Sequence, residues 1–230
     1  MKMNEILRKN NRRAICAFCA NLLIVVLEFV ALILSCMEHG VENFHFYTQD
    51  SNYLTMAASL LYCIYAIREI SRGEELPRWL HSFRYISICC LLVTFFVVLI
   101  ILMPMSGENA LYMLYGGSML YQHTLCPILA VFSFFAFEGK RMLPKTEVVK
   151  AMIPTFLYAF IMILLNTFQV LEGPYFFLMV YRQPWYISAM WCLVILCIAG
   201  FLAFVTLKLY NFTCWQRDNQ GQPLQKRGKI

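Results

Sequence analysis

The chain reads as an all-α, polytopic membrane protein with six transmembrane helices and both termini cytoplasmic. Three observations carry that reading. Of 230 residues, 60% are hydrophobic and only 14% are charged. The apolar residues gather into runs long enough to cross a bilayer. The cationic residues alternate from one connection to the next. A soluble domain carries roughly 45–50% apolar residues, whereas a bilayer-crossing helix needs about 20 predominantly apolar residues in a row.

Six spans meet the length requirement, at about 14–36, 48–67, 84–104, 117–138, 151–171 and 186–209. The first is too long for a cleaved signal peptide and lacks a small-x-small cleavage site. The second opens at Thr48 after the aromatic lead Phe44, Phe46 and Tyr47. The third begins at Arg84 and the fourth just after the Gly116-Gly117 pair, which reads as a loop. The fifth ends near Gln169, and Trp185 and Tyr186 form an aromatic belt at the start of the sixth. A polar tail, 211–230, follows. No Gly/Ser- or Pro-rich linker and no internal repeat divides the chain, so it is a single membrane domain.

Orientation follows from Lys and Arg in short loops, which favour the cytoplasmic side. Eighteen of the nineteen Lys and Arg residues fall at the N-terminus, in the 2–3 and 4–5 connections or at the C-terminal end. That count includes Arg84, read as a residue of the 2–3 connection. The opposite connections hold only Arg182, against Glu38, Glu42, Asp50, Glu108 and Glu172. The net charge of +6 is therefore a topology signal. No aromatic-interleaved basic patch is present, and a nucleic-acid partner is excluded.

Eight of the ten cysteines lie inside apolar runs and the other two, Cys36 and Cys214, at their ends. That placement fits neither a disulfide framework nor a zinc site. Paired His or Glu ligands at i, i+3 or i, i+4 are missing as well, so neither a metal nor another cofactor is expected.

Ionisable and amide side chains inside spans are costly, which makes them candidates for function. Glu28 lies about two-thirds of the way out along the first span. Thr48, Asp50, Ser51 and Asn52 open the second, Gln122 and His123 lie about two turns into the fourth, and Asn166 and Gln169 close the fifth. All four groups belong to the outer half of the membrane, and the inner halves show no comparable set. On the second span Thr48, Asn52, Thr55, Ser59 and Tyr62 follow i, i+4, i+7, i+11, i+14, one face of a helix. Asn21 and Glu28 share a face of the first. Thr155, Tyr158, Met162, Asn166 and Gln169 approximate a face of the fifth. Lipid offers such groups no partners, so these faces turn inward, while Asp50 and Ser51 point elsewhere. For Thr55, Ser59, Ser87 and Thr94 the simpler role is hydrogen bonding between helices.

Tyr47-Thr-Gln-Asp-Ser-Asn52 and His123-Thr-Leu-Cys-Pro127 resemble motifs of the androgen-induced family of multi-pass membrane proteins, intramembrane threonine hydrolases of fatty-acid esters of hydroxy fatty acids. Gly173-Pro-Tyr-Phe-Phe-Leu178 is similar to a third segment of that family, after its fifth helix. The resemblance implies that Thr48 is the nucleophile and His123 its partner, in a hydrolase whose substrate is a lipid or fatty-acyl ester. Threonine needs a base within hydrogen-bond reach, and His123 is the one histidine placed inside a span. Asp50 or Glu28 would then orient the imidazole, and Asn52, Gln122 or Asn166 would donate to the oxyanion. The rival reading is a transporter or ligand-binding protein that uses the same outer pocket without chemistry.

Overall fold

Six helices long and apolar enough to cross a membrane make up a computed structural model that describes residues 2–221. They are α1 (Lys2–His39), α2 (Tyr47–Arg72), α3 (Arg78–Met105), α4 (Leu120–Glu138), α5 (Glu147–Thr167) and α6 (Trp185–Gly221). Among the described residues there is no strand. The helices run alternately up and down, giving the bundle two ends. The near end carries the connections 73–77 and 139–146 and the last turns of α6. The far end carries 40–46, 106–119 and 168–184.

Helices α1 and α2 bury the stripes their sequences mark. On α1 the buried positions are Ala14, Ala17, Asn21, Ile24, Glu28, Ala31 and Ser35, alternating three and four apart, the seam of two helices packed nearly antiparallel. Its alanines let neighbouring backbones approach closely. Leu22, Leu23, Val26, Phe29 and Ile33 are left exposed on the opposite face, as lipid contact requires. On α2 the stripe Thr48, Asn52, Thr55, Ser59 and Tyr62 is buried throughout. Ser51 departs from expectation. It is buried and pairs with Thr94 on α3 at 2.7 Å, because α2 is enclosed on two sides, by α1 and by α3.

Of the helix limits that differ from the sequence reading, two change where polar side chains lie. Helix α3 begins at Arg78, a turn and a half before Arg84, so Arg84 is an interior residue. It is 1% exposed, and so is Glu138 at the end of α4. The guanidinium grips the carboxylate with two parallel bonds, Nε to Oε2 and Nη2 to Oε1, both 2.9 Å. Its Nη1 donates to Ser59 on α2, and Asn21 on α1 and Ser133 on α4 donate to the same carboxylate at 2.9 and 2.8 Å. Burying two charges is tolerable only with such geometry and such satisfaction. This corrects the expectation that the near half of the bundle holds no polar set, since four helices meet on one ion pair there. Helix α5 stops at Thr167, and Gln169 lies beyond it with φ of 57°, exposed and off the α5 face that Thr155 and Asn166 share.

Residues 211–221, the first part of the expected polar tail, continue α6. Arg217 reaches back to the carbonyls of Phe135, Ala136 and Gly139, closing the end of α4, where a helix leaves carbonyls without partners. Residues 222–230, with Lys226, Arg227 and Lys229, lie outside the described residues. At the far end Glu38 fastens α1 to the α3–α4 connection, its carboxylate accepting from the Ser118 hydroxyl at 2.6 Å and backbone N–H at 3.2 Å. Gly117 has φ of 48° and a Cβ there would sit 2.1 Å from Glu38 Oε1, so both backbone sign and space demand glycine.

Candidate functional site

Thr48 is the second residue of a helix that starts without a side-chain cap after extended Phe46. The aromatic lead holds that start in place. Tyr158 on α5 donates to the His45 carbonyl at 2.7 Å, and Tyr47 shares a 2.7 Å bond with Thr155, also on α5. Thr48 thereby faces a slot between α2, α3, α5 and α6, closed over by Tyr175, Phe177 and Leu178 of the α5–α6 connection. The cavity is about 50 Å³, room for roughly three to five water- or methylene-sized groups. Val93, Val97, Leu102, Ile195 and Leu196 supply most of its apolar wall, and the hydroxyl-bearing residues along it are Tyr47, Thr48, Thr94, Thr155, Tyr158 and Tyr175. Among the described residues no Lys, Arg, Asp, Glu or His lines it.

Tyr175 is the residue that sequence reasoning left without a role. Its hydroxyl lies 3.2 Å from Thr48 Oγ1 and 3.4 Å from the Thr48 backbone nitrogen. Its ring stacks on Phe177 with centroids 5.1 Å apart and 7° between planes. Enclosure in the wall raises the Tyr175 phenol above its ordinary pKa, an effect that the Thr48 contacts only partly offset. The signal was present in the Gly173–Leu178 segment, but nothing in the sequence says which of its aromatic residues turns toward α2.

His123 occupies a π-helical turn, Leu120–Leu125. The turn has a cause in Pro127. In this wider register the Cys126 N–H bonds to the Tyr121 carbonyl, so residue 127 would next donate to Gln122, which proline cannot do. The freed Gln122 carbonyl is taken by Asn52 Nδ2 at 3.3 Å, and the same amide donates to the Thr48 carbonyl at 2.7 Å. Gln49 and Gln122 pair through both amides, Gln49 Nε2 donating to Gln122 Oε1 at 2.8 Å. Asn52 and Gln122 therefore lock the start of α2 to the π turn.

The imidazole itself turns toward the α3–α4 connection, its Nδ1 2.5 Å from the Met113 carbonyl. A carbonyl can only accept, so Nδ1 carries the hydrogen and Nε2 is left with its lone pair. No hydrogen bond joins Thr48 to His123, and His123 does not line the slot. Of the residues expected to support them, Asp50 is exposed at the far rim. Asn166 spends its amide on the α5–α6 connection, donating to Leu171 and accepting from Val180. Glu28 is fully buried and lies alongside the Cys126 thiol.

Compared with family models, with curated proteins and with solved structures, the chain matches none.

Proposed function

We propose that the slot receives the acyl chain of a neutral lipid ester and that Thr48 cleaves the ester, with His123 as its base. The observation that carries this reading is the placement of the Thr48 hydroxyl on the wall of an uncharged, largely apolar slot, paired with a second hydroxyl that keeps its proton. An uncharged, hydroxyl-edged slot suits a chain whose polar part is an ester and disfavours a free carboxylate or phosphate, which would be stranded without a counter-charge.

In the reaction, Thr48 Oγ1 attacks the ester carbonyl while His123 Nε2 takes its proton. The carbon–alkoxy bond breaks and the alcohol leaves with that proton. Water then repeats the sequence on the acyl-threonine, releasing the fatty acid and restoring Thr48. Tyr175 donates to the oxygen that gains charge at each step, a role left to it because the amides of Asn52, Gln122 and Asn166 are committed elsewhere. The reading requires that substrate entry widen the slot, draw Tyr175 from Thr48 to the carbonyl oxygen and bring the imidazole to the threonine. The distribution of Lys and Arg supports a cytoplasmic near end; on that reading the site belongs to the outer half of the bilayer and is reached laterally from lipid.

Turnover of a series of fatty-acyl esters by purified protein in proteoliposomes tests this. Wild type should cleave a neutral ester, and Thr48→Ala and His123→Ala should each lose roughly a thousand-fold or more. Retained turnover in Thr48→Ala would remove the nucleophile from the account. The second reading, a non-catalytic lipid-binding protein, is favoured by the absence of a Thr48–His123 bond. Saturable capture of a photoreactive fatty ester at the slot, with no turnover in wild type, would establish it instead.

A further inference from the structure

The seam between α1, α2 and α4 contains a second chemistry, independent of the slot. Side-chain atoms that are buried and lack a hydrogen-bond partner include Asn21 Oδ1, both Glu28 oxygens, Asn52 Oδ1 and Tyr62 Oη, every one on the facing stripes of α1 and α2. Glu28 is the extreme case. It is 0% exposed, two helical turns from the ion pair that Asn21 joins, or about 10 Å along the axis. The titratable groups facing it are the Cys126 thiol on α4 and, more remotely, the Tyr53 phenol on α2. Of the other groups nearby, Asp50 is at the exposed rim, His123 on the π turn is engaged with Met113, and Arg84 on α3 is committed to Glu138 and Ser59. Ser35, one heptad further on α1, is spent on Asn43. Among the described residues no cation balances Glu28, and a thiol is a weak donor.

A bare carboxylate in such a place is prohibitively costly, whereas a carboxylic acid is not. The seam around Glu28 is also short of donors rather than acceptors, because Asn52 Oδ1 across it on α2 has none. One hydrogen on Glu28 removes the charge and supplies a donor. We propose that Glu28 is a proton-binding site: the three-helix seam closes on the carboxylic acid, and release of the proton to water reopens it. The step is balanced as hydronium plus carboxylate giving water plus carboxylic acid on closing, and the reverse on opening.

Two measurements test the proposal on protein reconstituted in lipid nanodiscs. Infrared difference spectra of wild type against Glu28→Gln at neutral pH should contain the carbonyl band of a protonated carboxyl, lost in the variant. Glu172→Gln, at an exposed position, should leave the band intact. The midpoint of thermal unfolding of wild type should fall as pH is raised from the ordinary carboxylate range, about 4.3, through neutrality, and that of Glu28→Gln should fall measurably less. Identical spectra for wild type and Glu28→Gln, or parallel pH dependences, overturn the proposal. So does failure of Glu28→Gln to fold, because a seam that closes on a neutral acid must accept the isosteric neutral amide. None of these readouts depends on ester cleavage.

Discussion

The near and far halves of the bundle each bury a pair of polar side chains, and the two pairs are treated oppositely. In the near half the Arg84–Glu138 pair is saturated, with bonds from α1, α2 and α4 converging on it. In the far half the hydroxyls of Thr48 and Tyr175 pair with each other, the phenol also taking the Thr48 backbone N–H, and both face a slot. Saturated polar groups hold a membrane protein together, because lipid offers no substitute partner. Groups left with spare donors or acceptors beside a cavity are available to a ligand. The contrast teaches that burial alone does not separate structural from functional polar residues in a membrane. Completion of their hydrogen bonding does.

That contrast can be broken by substitution, beginning with the largest expected effect. Glu138→Leu strands Arg84 and should cost about 3–5 kcal/mol of stability, measured by unfolding in mixed micelles. Arg84→Met with Glu138→Leu should regain most of that loss, and neither change should alter ester turnover per folded molecule. Tyr175→Phe should do the reverse, lowering turnover about a hundred-fold while costing only about 1 kcal/mol of stability. Because burial raises the Tyr175 pKa, the phenol stays protonated at and below its ordinary pKa. The shape of the pH–rate profile below about pH 9 should therefore be the same in Tyr175→Phe as in wild type. A lost alkaline or acid limb would show that Tyr175 titrates in the reaction.

Smaller effects sharpen the boundary between the halves. Gly117→Ala forces a side chain into a left-handed turn against Glu38 and should cost about 1–3 kcal/mol, read as a lower unfolding midpoint. Asn52→Ala removes the donor that covers the carbonyl freed by Pro127. It should cost about 1 kcal/mol and speed hydrogen exchange through the π turn, leaving the near-half network unaffected.

The six spans were legible because apolar length is a property of the chain itself, and the inward faces of α1 and α2 followed from helical period alone. The near-half network was not. Arg84 and Glu138 stand at the edges of apolar runs and are 54 positions apart, so each looked like an ordinary charge at a membrane border. The pairing depends on α3 starting at Arg78, which local sequence does not dictate. The one available hint was that Asn21 and Ser59 mark polar faces in the near half as well. At the candidate site, Thr48 was legible as the head of the α2 stripe, whereas Tyr175 was not, since it lies in a connection without periodicity. His123 was legible by depth. The direction of its ring, toward Met113, is decided by the π turn and a loop that contribute no pattern to the sequence.

The central claim is that Thr48 is the reactive group of the slot. Its most direct test is reaction of the purified protein with a lipid-like fluorophosphonate, followed by peptide mass spectrometry to locate the adduct. The expected result is a single adduct on Thr48, absent in Thr48→Ala and strongly reduced in His123→Ala. An adduct on Ser51, Thr155 or Cys126, or undiminished labelling of Thr48→Ala, would contradict it.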